Sequence, residues 1–155
     1  MRQVKFEVAD LPEIYLAEVV ADGIRIDRDA GGYGWFVDAT PMDDVEFGEA
    51  ISRPRLSTKP VGAPAGRMDL LTAIMHEIGH RVGLSDSYSA QTRDNLMYGY
   101  LTKGERRLPL VGQARNAVPG TNAETGFLLA LAEEVSSPAD ASAKATKENP
   151  NPRQH

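Results

Sequence analysis

The chain has 155 residues, of which 41% are apolar and 25% charged, and its formal net charge is −5. That length supports one domain with a core rather than two, and the negative balance argues against a nucleic-acid partner, which needs a concentrated basic face. Cysteine is absent, which removes disulfides and thiolate metal ligands together, and no apolar run reaches membrane-spanning length.

The opening MRQVKFEVADLPEIYL carries acidic residues where a signal peptide needs an unbroken apolar stretch, so no export signal is visible. Residues 3–10 (QVKFEVAD) alternate polar and apolar, the period of a half-buried strand, and Leu11-Pro12 ends it. Residues 19–27 (VVADGIRID) read as two strands around an Asp22-Gly23 turn. A glycine-rich bend follows at 29–34 (DAGGYG), and Trp35-Phe36-Val37 reads as a short strand. Proline and glycine recur from 40 to 66, which predicts a long surface loop of the kind that often carries function.

Asp69 then caps the one strongly helical segment. Leu70, Leu71, Ile74, Ile78 and Val82 supply its apolar positions, and Gly83 is its natural stop. After a polar stretch, Leu96-Met97-Tyr98-Gly99-Tyr100-Leu101 is apolar again. Lys103, Arg106 and Arg107, interrupted by Glu105, read as a solvated loop. Residues 124–135 (ETGFLLALAEEV) predict a second amphipathic helix, and 138–155 has almost no apolar bulk, the composition of a disordered tail or linker. The resulting organisation is a core at 1–111, a C-terminal helical segment at 112–137 and a tail at 138–155.

The chemistry concentrates in MHEIGHRVGLSD, residues 75–86. Side chains four apart on a helix project from one face, so His76 and His80 can reach one ion. Glu77, the next residue round, can reach a water on that ion without ligating it. A zinc-bound water has a pKa near 7 instead of 15.7, so Glu77 can act as general base and then pass the proton to a leaving amine. A catalytic zinc site needs a third protein ligand and an open position. A reversal at Gly83 brings the chain back, and Asp86 is the first side chain beyond it of suitable strength. Its anionic charge should lower the Lewis acidity of the ion somewhat. The bland alternative, a polar helix face that happens to carry histidines, is weakened by the extended HExxHxxGxxD pattern, because glycine and aspartate each have a mechanical reason to be there.

That pattern, followed by Asn95-Leu96-Met97-Tyr98, resembles the signature of the metzincin clan of zinc endopeptidases. The aspartate variant is similar to snapalysin-type members, while LMYGY, GYGWFVDATPMDDVEF and GRMDLLTAIMHEIGHRVGL look like matrixin-like modules of very large bacterial surface or secreted proteins. The resemblance spans about 4–109 and is specific from 67 to 101. It implies an α+β fold: a small twisted mixed sheet, an active-site helix, a methionine turn and a C-terminal helix. It also implies Zn2+ on His76, His80 and Asp86, catalysis through Glu77, and Met97 as a hydrophobic floor. The substrate would be an extended polypeptide paired against the edge of 33–37, and the setting extracellular or at the cell surface. Asp38, Asp43, Asp44 and Glu46 crowd a loop where matrixins often hold structural Ca2+, a solvated acidic turn being the alternative. Tyr98 and Tyr100 either wall a specificity pocket or pack against the methionine turn.

The N-terminal strand and long helix usual in the clan have no counterpart here. The expectation is therefore either a piece of a larger multidomain polypeptide or a C-terminal helix covering that surface. Two rival functions stand beside the peptidase. One is a non-catalytic binding or adhesion module. The other is a metallopeptidase whose third ligand is a later glutamate, Glu105 or Glu124, with no task left for Gly83 or Met97.

Overall fold

The computed structural model describes residues 4–110 and the strand at 144–147. The alternating N-terminal run is β1 (Lys5–Ala9), and the hairpin behind it is β2 (Tyr15–Val20) and β3 (Gly23–Asp27). β2 and β3 are antiparallel with Val20 opposite Gly23, and β1 lies parallel to β3 with Phe6 beside Ile24 and Val8 beside Ile26. Gly23 is needed there for space, since a Cβ would stand 2.0 Å from the Lys5 carbonyl oxygen. Alternation marks β1 as a strand but not its burial. Phe6 and Val8 are 53% and 64% exposed, because β1 is an edge of its sheet.

The predicted Trp strand is β4 (Trp35–Phe36). The predicted loop that follows contains two short strands, β5 (Glu49–Ala50) and β6 (Arg55–Ser57), and leads to β7 (Met68–Asp69). Then come α1 (Leu70–Arg81), a single 3-10 turn at Ala90–Thr92, β8 (Tyr100–Leu101), β9 (Glu105–Arg107) and β10 (Lys144–Lys147). The strands form one mixed five-stranded sheet, ordered β1-β3-β2-β10-β8, a parallel pair β4-β7, and an antiparallel trio β5-β6-β9. Among the described residues the fold is thus mixed α+β, with one α-helix and small sheets.

β10 departs from the sequence reading. Four residues of the expected tail run antiparallel to β2 and parallel to β8. Main-chain hydrogen bonds, which ask little of side-chain hydrophobicity, make that strand. The helix expected at 124–135 and the rest of 138–155 lie outside the described residues.

α1 forms because Asp69 caps it: the carboxylate accepts from the Thr72 backbone N–H and hydroxyl at 3.2 and 2.7 Å. Leu70, Ile74 and Ile78, spaced by four, pack against Ala17, Ile24 and Ile26 of the hairpin. All three are half-buried, so each contributes less than the ~1.5–3 kcal/mol of a fully buried side chain. With that stripe fixed on the sheet, His76 and His80 emerge roughly from the opposite side of the helix.

The basic run is not a solvated loop. Arg106 is 0% exposed: its guanidinium meets Asp38 at 2.7 Å, Asp44 at 3.0 Å and both oxygens of Asp69 at 3.0 Å, and it lies over the Phe47 ring. Arg107, equally buried, donates to the carbonyls of Tyr98 and Tyr100 and stacks over the Tyr98 ring. Glu105 accepts from Arg55 and Arg107. The partners of Arg106 all lie 37 or more positions away, so composition around residue 106 carries no sign of them.

Candidate metal centre

Helix α1 ends where Gly83 takes φ +88, a left-handed conformation that costs glycine little. The Val82 amide still bonds the Ile78 carbonyl, and the Leu84 amide bonds back to Gly79 at 2.9 Å. The chain therefore reverses within one turn. Leu84 lands beside His80, and Asp86 lands in front of both histidines.

The reversal brings three ligand atoms together. His76 Nε2 and His80 Nε2 are 3.0 Å apart, and Asp86 Oδ1 stands 3.0 Å from the first and 3.2 Å from the second. Ligands of a tetrahedral ion with bonds of about 2.0–2.1 Å stand about 3.3 Å apart, so the triangle is close to metal-binding size. The remaining ring nitrogens are committed elsewhere. His76 Nδ1 donates to the Leu96 carbonyl and His80 Nδ1 to the Leu84 carbonyl, both at 2.9 Å. Such bonds select the tautomer whose Nε2 lone pair is free. Two lone pairs and a carboxylate oxygen then face one another, and Asp86 Oδ1 is a buried acceptor. A cation suits that arrangement. The group His76, His80 and Asp86 can hold a metal ion.

The surroundings hold this triangle in place. Met97 is buried with Leu96 against Met75 and Leu84. Its thioether fits because residue 79 is glycine: a Cβ there would stand 2.4 Å from Met97 Sδ. Ser87 forms an isolated parallel bridge with Tyr98, its N–H donating to Met97 O at 2.8 Å and its carbonyl accepting from the Gly99 N–H at 2.9 Å. The ligand loop and the methionine turn are therefore one hydrogen-bonded unit. Behind His76 lies a small cleft lined by Thr72, Ala73, Leu96, Tyr98 and Arg107.

Electrostatics follow from burial and contact. For His80, burial opposes protonation, but Asp86, the Leu84 carbonyl and the charge of Glu77 outweigh it and raise its pKa. For Asp86, burial opposes ionisation, yet in the metal-free chain imidazolium at His76 and His80, with a second proton on Nε2, holds the carboxyl far below its usual range. Tyr88, partly desolvated and beside the Asp86 carboxylate, is pushed up to about 12, so it remains a hydroxyl donor at neutral pH. Glu77 is fully buried, one helical position from His76, and near enough for His80 to feel its charge.

The structure thus gathers three of the four site residues read from sequence into one triangle and leaves Glu77 beside it. Glu105 is taken up by Arg55 and Arg107 and has no part in the triangle, while Glu124 lies outside the described residues. In the acidic loop where calcium or a solvated turn was expected, Asp38 and Asp44 converge on the Arg106 guanidinium. Among the described residues only the His76, His80 and Asp86 group is spaced for a metal ion. Sequence reasoning missed the Leu84 and Leu96 carbonyls and Tyr88. Backbone acceptors have no residue signature, and nothing in the sequence distinguishes Tyr88 from its neighbours. No family model, curated protein or solved structure matches the chain.

Proposed function

We propose that the protein is a zinc-dependent endopeptidase of metzincin type. One observation carries the reading: three acceptor atoms 3.0–3.2 Å apart, with both Nδ1 protons given to backbone carbonyls. Two imidazoles and one carboxylate suit Zn2+ better than the hard, oxygen-seeking cations. The left-handed turn at Gly83 and the burial of Met97 against Gly79 support the clan resemblance.

His76, His80 and Asp86 would hold the ion. When bound, zinc makes a water molecule acidic and polarises a carbonyl. Glu77 accepts the proton of that water on its carboxylate and returns it to the nitrogen of the departing amine. Asp86 and the two carbonyl-anchored imidazoles keep their positions throughout. The substrate is an extended polypeptide. Among the described residues β4 is paired only with β7, which leaves its other edge for backbone pairing. A surface or secreted parent protein belongs to the same proposal.

The test is cleavage of an unfolded protein, with and without chelator, by wild type and Glu77→Gln. We expect activity that chelation abolishes and zinc restores, and a loss of about 10²–10⁴-fold in Glu77→Gln. Equal cleavage by the two proteins overturns the peptidase reading, and binding of polypeptide without turnover favours the adhesion module.

A further inference from the structure

We propose that Tyr88 is a positioning residue for the third ligand: seated on Gly99, its phenol holds the outer oxygen of Asp86 so that the inner oxygen faces the ion. This rests on the metal reading above.

The two oxygens of Asp86 have different surroundings. Oδ1 faces the histidine nitrogens, whereas Oδ2 accepts the Tyr88 hydroxyl at 3.1 Å. A carboxylate on a loop can turn about two side-chain torsions, and a hydrogen bond to its far oxygen removes much of that freedom before any ion arrives. Outer partners of metal ligands act in this way, fixing orientation and tuning basicity. The phenol also draws charge away from Oδ2. That offsets part of the Lewis acidity lost by using an anionic ligand in place of a third imidazole.

Tyr88 is itself held in place by its neighbours. Its ring lies directly on Gly99, where a Cβ would stand 2.4 Å from Cε1 and 3.0 Å from the hydroxyl oxygen. The ring also meets Tyr100 edge-on at 5.5 Å, and Tyr100 meets Tyr98 in the same manner at 5.8 Å. Ser87, between ligand and tyrosine, is the residue pinned to the methionine turn. In an extended stretch, residues two apart point the same way, so pinning Ser87 presents Asp86 and Tyr88 together. Burial does not account for this placement, because Tyr88 remains 57% exposed.

The experiment measures zinc dissociation constants by chelator competition for the full chain and for Tyr88→Phe, Gly99→Ala and Asp86→Ala. Tyr88→Phe keeps the ring and removes the donor. We expect zinc to bind about 10–100-fold more weakly, with unchanged thermal unfolding of the metal-stripped protein and an altered visible spectrum of the cobalt(II) form. Gly99→Ala, which displaces the ring, should weaken binding in the same direction; if it does not fold, Tyr88→Phe decides alone. Wild-type affinity and spectrum in Tyr88→Phe, with Asp86→Ala still losing the metal, overturn the positioning role and leave the metal reading intact. A wild-type chain that takes up no zinc overturns both.

Discussion

Two clusters of buried charge lie toward opposite ends of α1, and their compositions are opposite. At the N-terminal end a guanidinium sits among three carboxylates, Asp38, Asp44 and Asp69, so cation and acceptors come from the same chain. Toward the C-terminal end two imidazole lone pairs and a carboxylate oxygen face each other with their protons directed elsewhere. The first cluster is complete by itself and fixes the fold, since Asp69 also caps the helix. The second is a group of acceptors that can hold a metal ion. Acidic residues alone do not separate the two; what matters is whether the fold supplies a positive partner.

The largest expected effect comes from breaking the closed cluster. Arg106→Met leaves buried carboxylates without their cation, and removing one member of such a group costs about 3–5 kcal/mol. That is a large fraction of the about 5–15 kcal/mol that holds a typical domain together. Urea unfolding should show a severe loss or no folded protein, and a variant of wild-type stability would mean the carboxylates do not need the arginine.

Asp86→Ala tests the open cluster and should act in the contrary sense. We expect metal-stripped stability to change by less than about 1 kcal/mol, as for substitutions outside the core. Zinc affinity should fall by more than about a hundredfold, since changes to the outer partners alone cost about 10–100-fold. Stoichiometric zinc retained at wild-type affinity would show that the triangle is not the ligand set.

The smallest effect is in pH. His80 has a raised pKa, so its contribution to the metal-stripped fold is full below the ordinary value of 6.5 and is lost as pH rises through the folded value. Asp86 has a lowered pKa, so its contribution is present above 3.8 and is lost only as pH falls well below it. The metal-stripped chain should therefore gain most from this pair between pH 3.8 and 6.5, and melt slightly higher there than at pH 8. The zinc-loaded protein should show the reverse slope, because protons compete with the metal for the imidazoles. Parallel slopes for the two forms would contradict the assignment of His80 and Asp86 to the ion.

How legible each part was in the sequence follows from the range of the forces involved. The pair His76 and His80, the neighbouring Glu77 and the reversal that returns Asp86 depend on helix periodicity and on one left-handed glycine, all within eleven residues of chain. Local geometry sufficed there. The cap at Asp69 and the existence of the β2-β3 hairpin were legible for the same reason, although the turn is Ala21-Asp22 and not Asp22-Gly23, and β2 begins at Tyr15 rather than Val19. The strand at 144–147 was not, because it exists by pairing with β2 and β8 rather than by any pattern of its own.

The sequence by itself determined which side chains share a helix face and where the chain turns, since those are properties of a few consecutive torsions. Only the tertiary structure decided that Arg106 is buried among carboxylates while His76, His80 and Asp86 turn their acceptor atoms toward one another. A charge is stable in the interior only if partners reach it, and here those partners all come from 37 or more positions away. The same holds for the two carbonyls that orient the imidazoles and for the tyrosine on Asp86, because a hydrogen bond is made by position, and the fold sets position.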